Sequence, residues 1–265
     1  MQKIILLGTS GAVADAQRDN VSLVFSSRQE VPPDFHVLLE CGGSAAHKLA
    51  KIGIAYHTLQ DVILTHTHLD HLYGVPGLIF SMMYRDMQRT IPLRIHCPEQ
   101  ASEMITQFLD FFGLRKECWF PLEVHGIPSE EAALVLDNAH VTITSTPVNH
   151  SPSIPTYGIK IFVKASEKSV VYSSDTSYSK RLIRLAKGTD LLLHECAGLS
   201  YQPIPPIHSN AMQVGNVARE AECKKLALLH LDTVLNDHPQ QILDEVRQYF
   251  SGECVITSDF DEYIL

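Results

Sequence analysis

Six residues constrain this chain more than any others: His66-Thr67-His68-Leu69-Asp70-His71, directly after the apolar run at residues 62–65. The apolar run reads as a short strand, and the polar run as its exit. In extended backbone the side-chain period is two, so His66 and His68 share a face. Asp70 and His71 stand where the chain begins to coil and are directed to a second position beside the first. Imidazole together with carboxylate suits borderline divalent ions, Zn²⁺ first, with Mn²⁺ or Fe²⁺ as alternatives. A single histidine at a strand end serves equally well as a backbone partner or a helix cap. Three of them with an aspartate in six residues crowd positive charge that only a bound metal gives a purpose.

Four ligands do not complete two ions, so other strand ends must supply the rest. His150 lies beyond the strand pattern at 141–145, Asp175 beyond that at 169–173, and His230 ends the one at 226–230. Taken singly, each has an ordinary reading: a loop histidine, the N-cap of the following helix and a core histidine, respectively. Together they place ligand-type residues at the same kind of strand end, where open αβ architectures gather their sites.

The remaining patterns give the frame. Strands are expected at 3–7, 22–26, 35–39, 62–65 and 93–96, then at 141–145, 157–163, 169–173, 191–194, 226–230 and, last, 254–258. Helical patterns occupy 45–51, 78–85, 99–112, 179–187, 210–222 and 239–249, with Ser44 and Asn210 placed as N-caps and Gly113 and Gly188 as stops. Gly74-Val75-Pro76-Gly77 reads as a turn. Two β-rich halves, each carrying helices, imply an α+β class with a sheet-against-sheet core and helices outside, in one domain spanning 1–265.

No apolar run approaches the roughly 20 residues that cross a bilayer, and residues 1–8 lack the pattern of a secretory signal, so the expected compartment is the cytoplasm. The six cysteines show no metal-finger spacing and read as reduced thiols. With 21 Lys plus Arg against 30 Asp plus Glu, the net charge is −9 and there is no basic arm for nucleic acid.

The His-x-His-x-Asp-His run, with His150, Asp175 and His230, resembles the metallo-β-lactamase superfamily. Leu7-Gly8-Thr9 and Leu38-Leu39-Glu40-Cys41-Gly42 extend the likeness over nearly the whole chain. The resemblance implies a four-layer αβ/βα sandwich with a dinuclear site at one edge. His66, His68 and His150 would hold one ion, Asp70, His71 and His230 the other, and Asp175 would bridge them. Within the superfamily, Leu193-His194-Glu195-Cys196-Ala197 and His208-Ser209-Asn210-Ala211 are similar to the His-Glu-Ala-Thr and His-Ser-Thr-Ala motifs of the ribonuclease Z branch, and Gly8-Thr9 with Arg18 and Asn20 also fits. By that likeness Glu195 orients His208, and His208 assists at the scissile phosphate. In chemical terms a carboxylate on one imidazole nitrogen sets the tautomer or favours the charged ring, which then stabilises or protonates an oxygen. The plain alternative is a surface glutamate and a histidine at the start of the helix after Asn210.

The expected function is metal-dependent hydrolysis of phosphodiesters by a hydroxide shared between two divalent ions roughly 3.5–4 Å apart. Asp70 serves as ligand and proton acceptor, and His208 faces the leaving oxygen. Two departures from the ribonuclease Z pattern bear on the substrate. The stretch between His150 and Asp175, where a Gly/Pro-rich RNA-gripping arm would be expected, is short and filled by strand patterns, and Gln202-Pro203-Ile204-Pro205-Pro206-Ile207 is too short to replace it. His230 is followed by Leu231-Asp232-Thr233-Val234, where the family tends to have a serine and an arginine. Small or cyclic phosphodiesters therefore stand beside RNA as substrates. Transfer-RNA 3′ processing, lactone or thioester hydrolysis, and a metal-binding structural protein are the alternatives. A homodimer is the family-based expectation. Tyr84, Arg85, Tyr157 and Tyr178 are candidate cleft residues.

Overall fold

The computed structural model describes residues 1–28, 34–232 and 238–265. The first sheet is built from β1 (Gln2–Gly8), β2 (Ser22–Ser27), β3 (Phe35–Leu39), β4 (Asp61–Ile63), β5 (Leu93–Pro98) and β6 (Leu122–Ile127). The second contains β7 (Ala133–Asp137), β8 (Val141–Pro147), β9 (Tyr157–Val163), β10 (Lys168–Tyr172), β11 (Leu191–Cys196), β12 (Lys225–Leu231) and β13 (Glu253–Ile256). A final strand, β14 (Glu262–Ile264), returns to the first sheet beside β1, so residues 254–258 are not the last strand as the pattern suggested.

The sheets run β14-β1-β2-β3-β4-β5-β6 and β13-β12-β11-β10-β9-β8-β7. In each, the pairings toward one edge are antiparallel and those toward the other are parallel, three of each kind. The two halves thus repeat one topology, although no repeat is visible in the sequence. The exits of β3, β4, β10, β11 and β12 gather at one edge of the sandwich.

Side-chain alternation produces the layers. In β1, Ile4 and Leu6 point into the core between the sheets, whereas Ile5 and Leu7 point outward under helices. Each buried Leu or Ile contributes on the order of 1.5–3 kcal/mol. The outer face of the first sheet is covered by α1 (Ala45–Lys51), α2 (Leu69–Leu72), α3 (Val75–Arg85), α4 (Ser102–Phe111) and α5 (Leu114–Glu117); that of the second by α6 (Lys180–Leu185), α7 (Ala211–Ala221) and α8 (Pro239–Arg247). Three apolar cores between four layers make the αβ/βα sandwich expected above.

Several local readings need correction. Residues 74–77 are not a turn: α3 starts at Val75, because Pro76 falls in its first turn, where a missing N–H costs nothing. Residues 99–112 divide into a 3₁₀ turn, Glu99–Ala101, and α4. Ser44 stands at the start of α1 but its side chain makes no capping bond. Asn210 does cap α7, in a reciprocal capping box with Gln213. All six cysteines are free. Among the described residues no helix is long and apolar enough to cross a membrane.

Candidate metal centre

The sequence-predicted ligands meet at the edge where the strands exit. β4 ends at Ile63 and the chain bends at Thr65; His68, with extended backbone, occupies the N-cap position of α2, and the chain coils from Leu69, so Asp70 and His71 sit on a helical turn. His150 follows β8 and Asp175 follows β10. His230 lies within β12 at a β-bulge: Glu195 pairs with Leu229 and Cys196 with Leu231, leaving His230 unpaired, with a left-handed φ of 52°. A bulge re-aims one side chain without moving the strand, and here it turns an imidazole inward.

Two ligand sets result. His68 Nδ1 lies 3.1 Å from both His66 Nε2 and His150 Nε2. Asp175 Oδ2 stands 3.7 Å from His66 Nε2 and 3.8 Å from His150 Nε2. In the second set His71 Nε2 and His230 Nε2 are 3.3 Å apart, and each is 3.5 Å from Asp70 Oδ2. Asp175 Oδ1 faces this set, 3.5 Å from His71 and 3.2 Å from His230. Each oxygen of Asp175 therefore serves a different set.

The donor atoms fit divalent ions. Metal–nitrogen bonds of about 2.0–2.1 Å in tetrahedral array put ligand nitrogens roughly 3.3–3.4 Å apart, close to the spacings here. Asp175 Oδ1 is buried without a hydrogen-bond donor, which a carboxylate tolerates when a cation satisfies it. His150 Nδ1 donates to the Ile207 carbonyl at 3.1 Å, so its Nε2 lone pair is turned to the centre.

The charges are mutually adjusted. Burial alone would raise the Asp175 pKa, but His230, His71 and His66 hold it well below the usual range. Burial would lower His71 and His230, yet Asp175 raises both, with Glu40 adding to the first and Asp70 to the second. Burial drives His66 well down and His150 down to about 4. The carboxylates thus attract positive charge to the second set, where a divalent ion would take the place of ring protons.

Glu195 and His208 adjoin both sets. Glu195, fully buried at the end of β11, accepts from His208 Nδ1 at 2.9 Å, Thr176 N at 2.7 Å and Ser209 N at 3.3 Å. The His208 ring is 5.0 Å from that of His150 and 5.8 Å from that of His230. Burial would lower the His208 pKa, but the hydrogen bond and charge of Glu195 lift it to about 9. Glu195 is thus buried and not a surface residue, and His208, two residues before the Asn210 cap of α7, is tied to it. His194 points elsewhere and donates from Nδ1 to the Glu195 carbonyl at 2.7 Å.

A cleft of about 220 Å³ opens beside His208 and His230. Val13, Pro203, Ile204 and Pro205 supply apolar parts of its lining, and Asp232 also lies in it. Tyr84, Arg85, Tyr157 and Tyr178 do not line it; Tyr157 is buried between the sheets. Thr233 and Val234 lie outside the described residues.

One buried residue received no role from the sequence. Glu40, just after β3 with φ 59°, places Oε1 3.3 Å from His71 Nδ1. Its signal in the residue order was a charged residue ending an apolar strand, within the Leu38-Leu39-Glu40-Cys41-Gly42 run.

The sequence matches the family described as "Anti-Pycsar protein Apyc1" over residues 2–246. It is similar to ribonuclease Z of Methanothermobacter thermautotrophicus, with 27% identity covering 94% of this chain and 92% of the relative. Among solved structures it resembles the metallo-β-lactamase fold protein YhfI from Bacillus subtilis, with a TM-score of 0.81 and 23% identity over 99% of this chain and 98% of that one. The short form of human tRNase Z superposes with a TM-score of 0.78 and 20% identity over 99% and 98% of the two chains. These likenesses establish the metallo-β-lactamase fold.

Proposed function

The chain belongs to the family of the anti-Pycsar protein Apyc1, and on that premise we propose that it is a metal-dependent hydrolase of small phosphodiesters, single or cyclic. The observation that carries this reading is Asp175, whose two oxygens face two separate ligand sets beside the Glu195–His208 pair.

We assign His66, His68, His150 and Asp175 to one divalent ion and Asp70, His71, His230 and Asp175 to the other. Zinc is the preferred ion for this donor set, with manganese or iron as alternatives. Two such ions supply a water of lowered pKa and neutralise the non-bridging phosphate oxygens. The protein does the rest. Glu195 holds the His208 ring by one nitrogen and favours its charged form, leaving the other nitrogen to donate to the departing oxygen. Asp70, at the rim of the second set, would accept the proton of the attacking water.

Substrate size follows from the cleft. A volume of about 220 Å³ takes one ring-sized group. The narrowness of this cleft supports a small substrate. The ribonuclease Z relatives support a second reading, endonucleolytic processing of transfer-RNA 3′ ends.

The chain is proposed to form a single domain over 1–265. Six free thiols suit a reducing compartment, the cytoplasm. The exposed apolar side chains Leu69, Phe80, Tyr84 and Met87, of which Phe80 and Tyr84 pack together, support pairing of two copies.

A zinc-reconstituted preparation assayed against bis-p-nitrophenyl phosphate, cyclic nucleotides, precursor transfer RNA, a lactone and a thioester tests these readings. Turnover of the first two is expected. Lactone hydrolysis without phosphodiesterase activity overturns the phosphodiester reading, and accurate, faster cutting of the precursor RNA favours the second one.

A further inference from the structure

One hydroxyl, that of Thr65, touches His66 of the first ligand set and two residues, Glu40 and Ser174, that adjoin His71 and Asp175. Thr65 is fully buried. Its Oγ1 is hydrogen-bonded to Glu40 Oε1, lies 2.5 Å from Ser174 Oγ and 3.1 Å from His66 Nδ1, and its backbone N–H donates to Glu40 Oε2 at 3.2 Å. Glu40 in turn stands against His71 Nδ1 at 3.3 Å. Ser174 immediately precedes Asp175. Glu40 and Ser174 both hold left-handed backbone, φ 59° and 55°, a conformation that costs free energy in non-glycine residues and persists where surrounding contacts demand it.

The valence of the hydroxyl settles the direction of these bonds. A threonine hydroxyl has one proton and two acceptor positions, and a carboxylate only accepts. The Thr65 proton therefore goes to Glu40. Ser174 Oγ and His66 Nδ1 must then both donate to Thr65. A proton on His66 Nδ1 leaves the Nε2 lone pair facing His68, His150 and Asp175. On the other side, the Glu40 carboxylate lies 3.3 Å from His71 Nδ1 without the alignment of a hydrogen bond, and its charge favours the proton there, leaving His71 Nε2 facing the second set.

We propose that Thr65 is a positioning residue that joins the two ion positions into one unit. It sets the His66 tautomer directly, steadies His71 through Glu40, and braces through Ser174 the strand exit that carries the shared Asp175. The proposal rests on the two-ion reading and adds that the positions are not independent: removing one hydroxyl outside both ligand sets weakens both.

The test is zinc titration of the full chain, stripped of metal, against a chromogenic chelator, for the wild type, Thr65→Val and Thr65→Ser. Loss of an outer hydrogen-bond partner lowers metal affinity by roughly 10–100-fold. Thr65→Val is expected to weaken both zinc steps by about that factor, and Thr65→Ser, which keeps the hydroxyl, to restore them to within about threefold. Weakening of one step alone, or of neither, overturns the proposal, as does a serine variant no better than valine, which would make the role steric. Nitrogen-15 spectra of the metal-free wild type give a reading that needs no variant to fold: a proton on His66 Nδ1 supports the assignment and one on Nε2 refutes it. A wild type that takes up no zinc sinks the metal reading itself, whereas two zinc ions that respond separately to Thr65→Val sink only this inference.

Discussion

Replacement of Asp175 by asparagine is the most direct perturbation of the centre. The amide keeps the shape of the side chain but exchanges one acceptor oxygen for an N–H donor. Since Oδ2 of Asp175 faces His66 and His150 while Oδ1 faces His71 and His230, either orientation of the amide deprives one ligand set of its shared oxygen and aims a donor at its centre. A ligand that binds only the folded chain stabilises it by RT ln(1 + [L]/Kd), about 2.7 kcal/mol per ion at a hundredfold excess over Kd. For a chain of this size each kcal/mol moves the melting temperature by roughly 2–4 °C. Two ions should therefore raise the midpoint of the stripped wild type by roughly 10–20 °C. Under the same zinc concentration Asp175→Asn should hold one ion at most and gain no more than about half that shift. Thermal unfolding with and without zinc, together with elemental analysis of the dialysed protein, provides the two readouts. An asparagine variant that keeps two ions and the full shift would refute the division of Asp175 between two sets.

Three further outcomes are expected. His208→Ala should lower phosphodiester turnover by roughly 10²–10⁴-fold while metal content stays at two ions per chain; loss of metal as well would place His208 among the ligands. Asp61, fully buried far from the centre at the start of β4, accepts two bonds of 2.7 Å from Arg94 and one of 2.8 Å from His96. Burial would raise its pKa, but these partners hold it below the ordinary carboxylate value. A depressed folded pKa contributes stability that is complete above the unfolded value of about 3.9 and is lost as pH falls through the folded value. Asp61→Asn should therefore cost about 3–5 kcal/mol near neutrality, and urea unfolding should show the gap to wild type narrowing below about pH 4; an unchanged gap at pH 3 contradicts the assignment. A Cβ at Gly42 would lie 2.2 Å from the Asp70 carbonyl oxygen and 2.8 Å from that of Val21. Gly42→Ala should accordingly cost about 1–3 kcal/mol in a melt and weaken zinc binding by displacing the Asp70 turn.

Much of the centre is legible in the residue order. A histidine run at the end of an apolar strand, with the period of two, already orients His66 and His68 together and turns Asp70 and His71 aside, and the structure has them so. The capping box at Asn210 and the alternation of β1 between two cores are equally local. The residue order misleads where local signals are degenerate. Pro76 breaks a helix interior but suits a first turn, and β14 is too short and mixed in character to stand out without β1 beside it.

The residue order dictates the kind of chemistry: which residues can hold a metal, and that strand exits present them. Tertiary structure alone decided which exits meet. His71 and His230 touch because two sheets of the same topology stack with their parallel strand ends at one edge, and because a bulge in β12 turns His230 inward. It also decided that Asp175 divides its oxygens between two sets and that Glu40, Thr65 and Ser174 stand behind them. Local periodicity acts over a few residues and records only which face a side chain takes. Sheet order, register and bulges bring together residues far apart in the chain, and no short-range pattern encodes them.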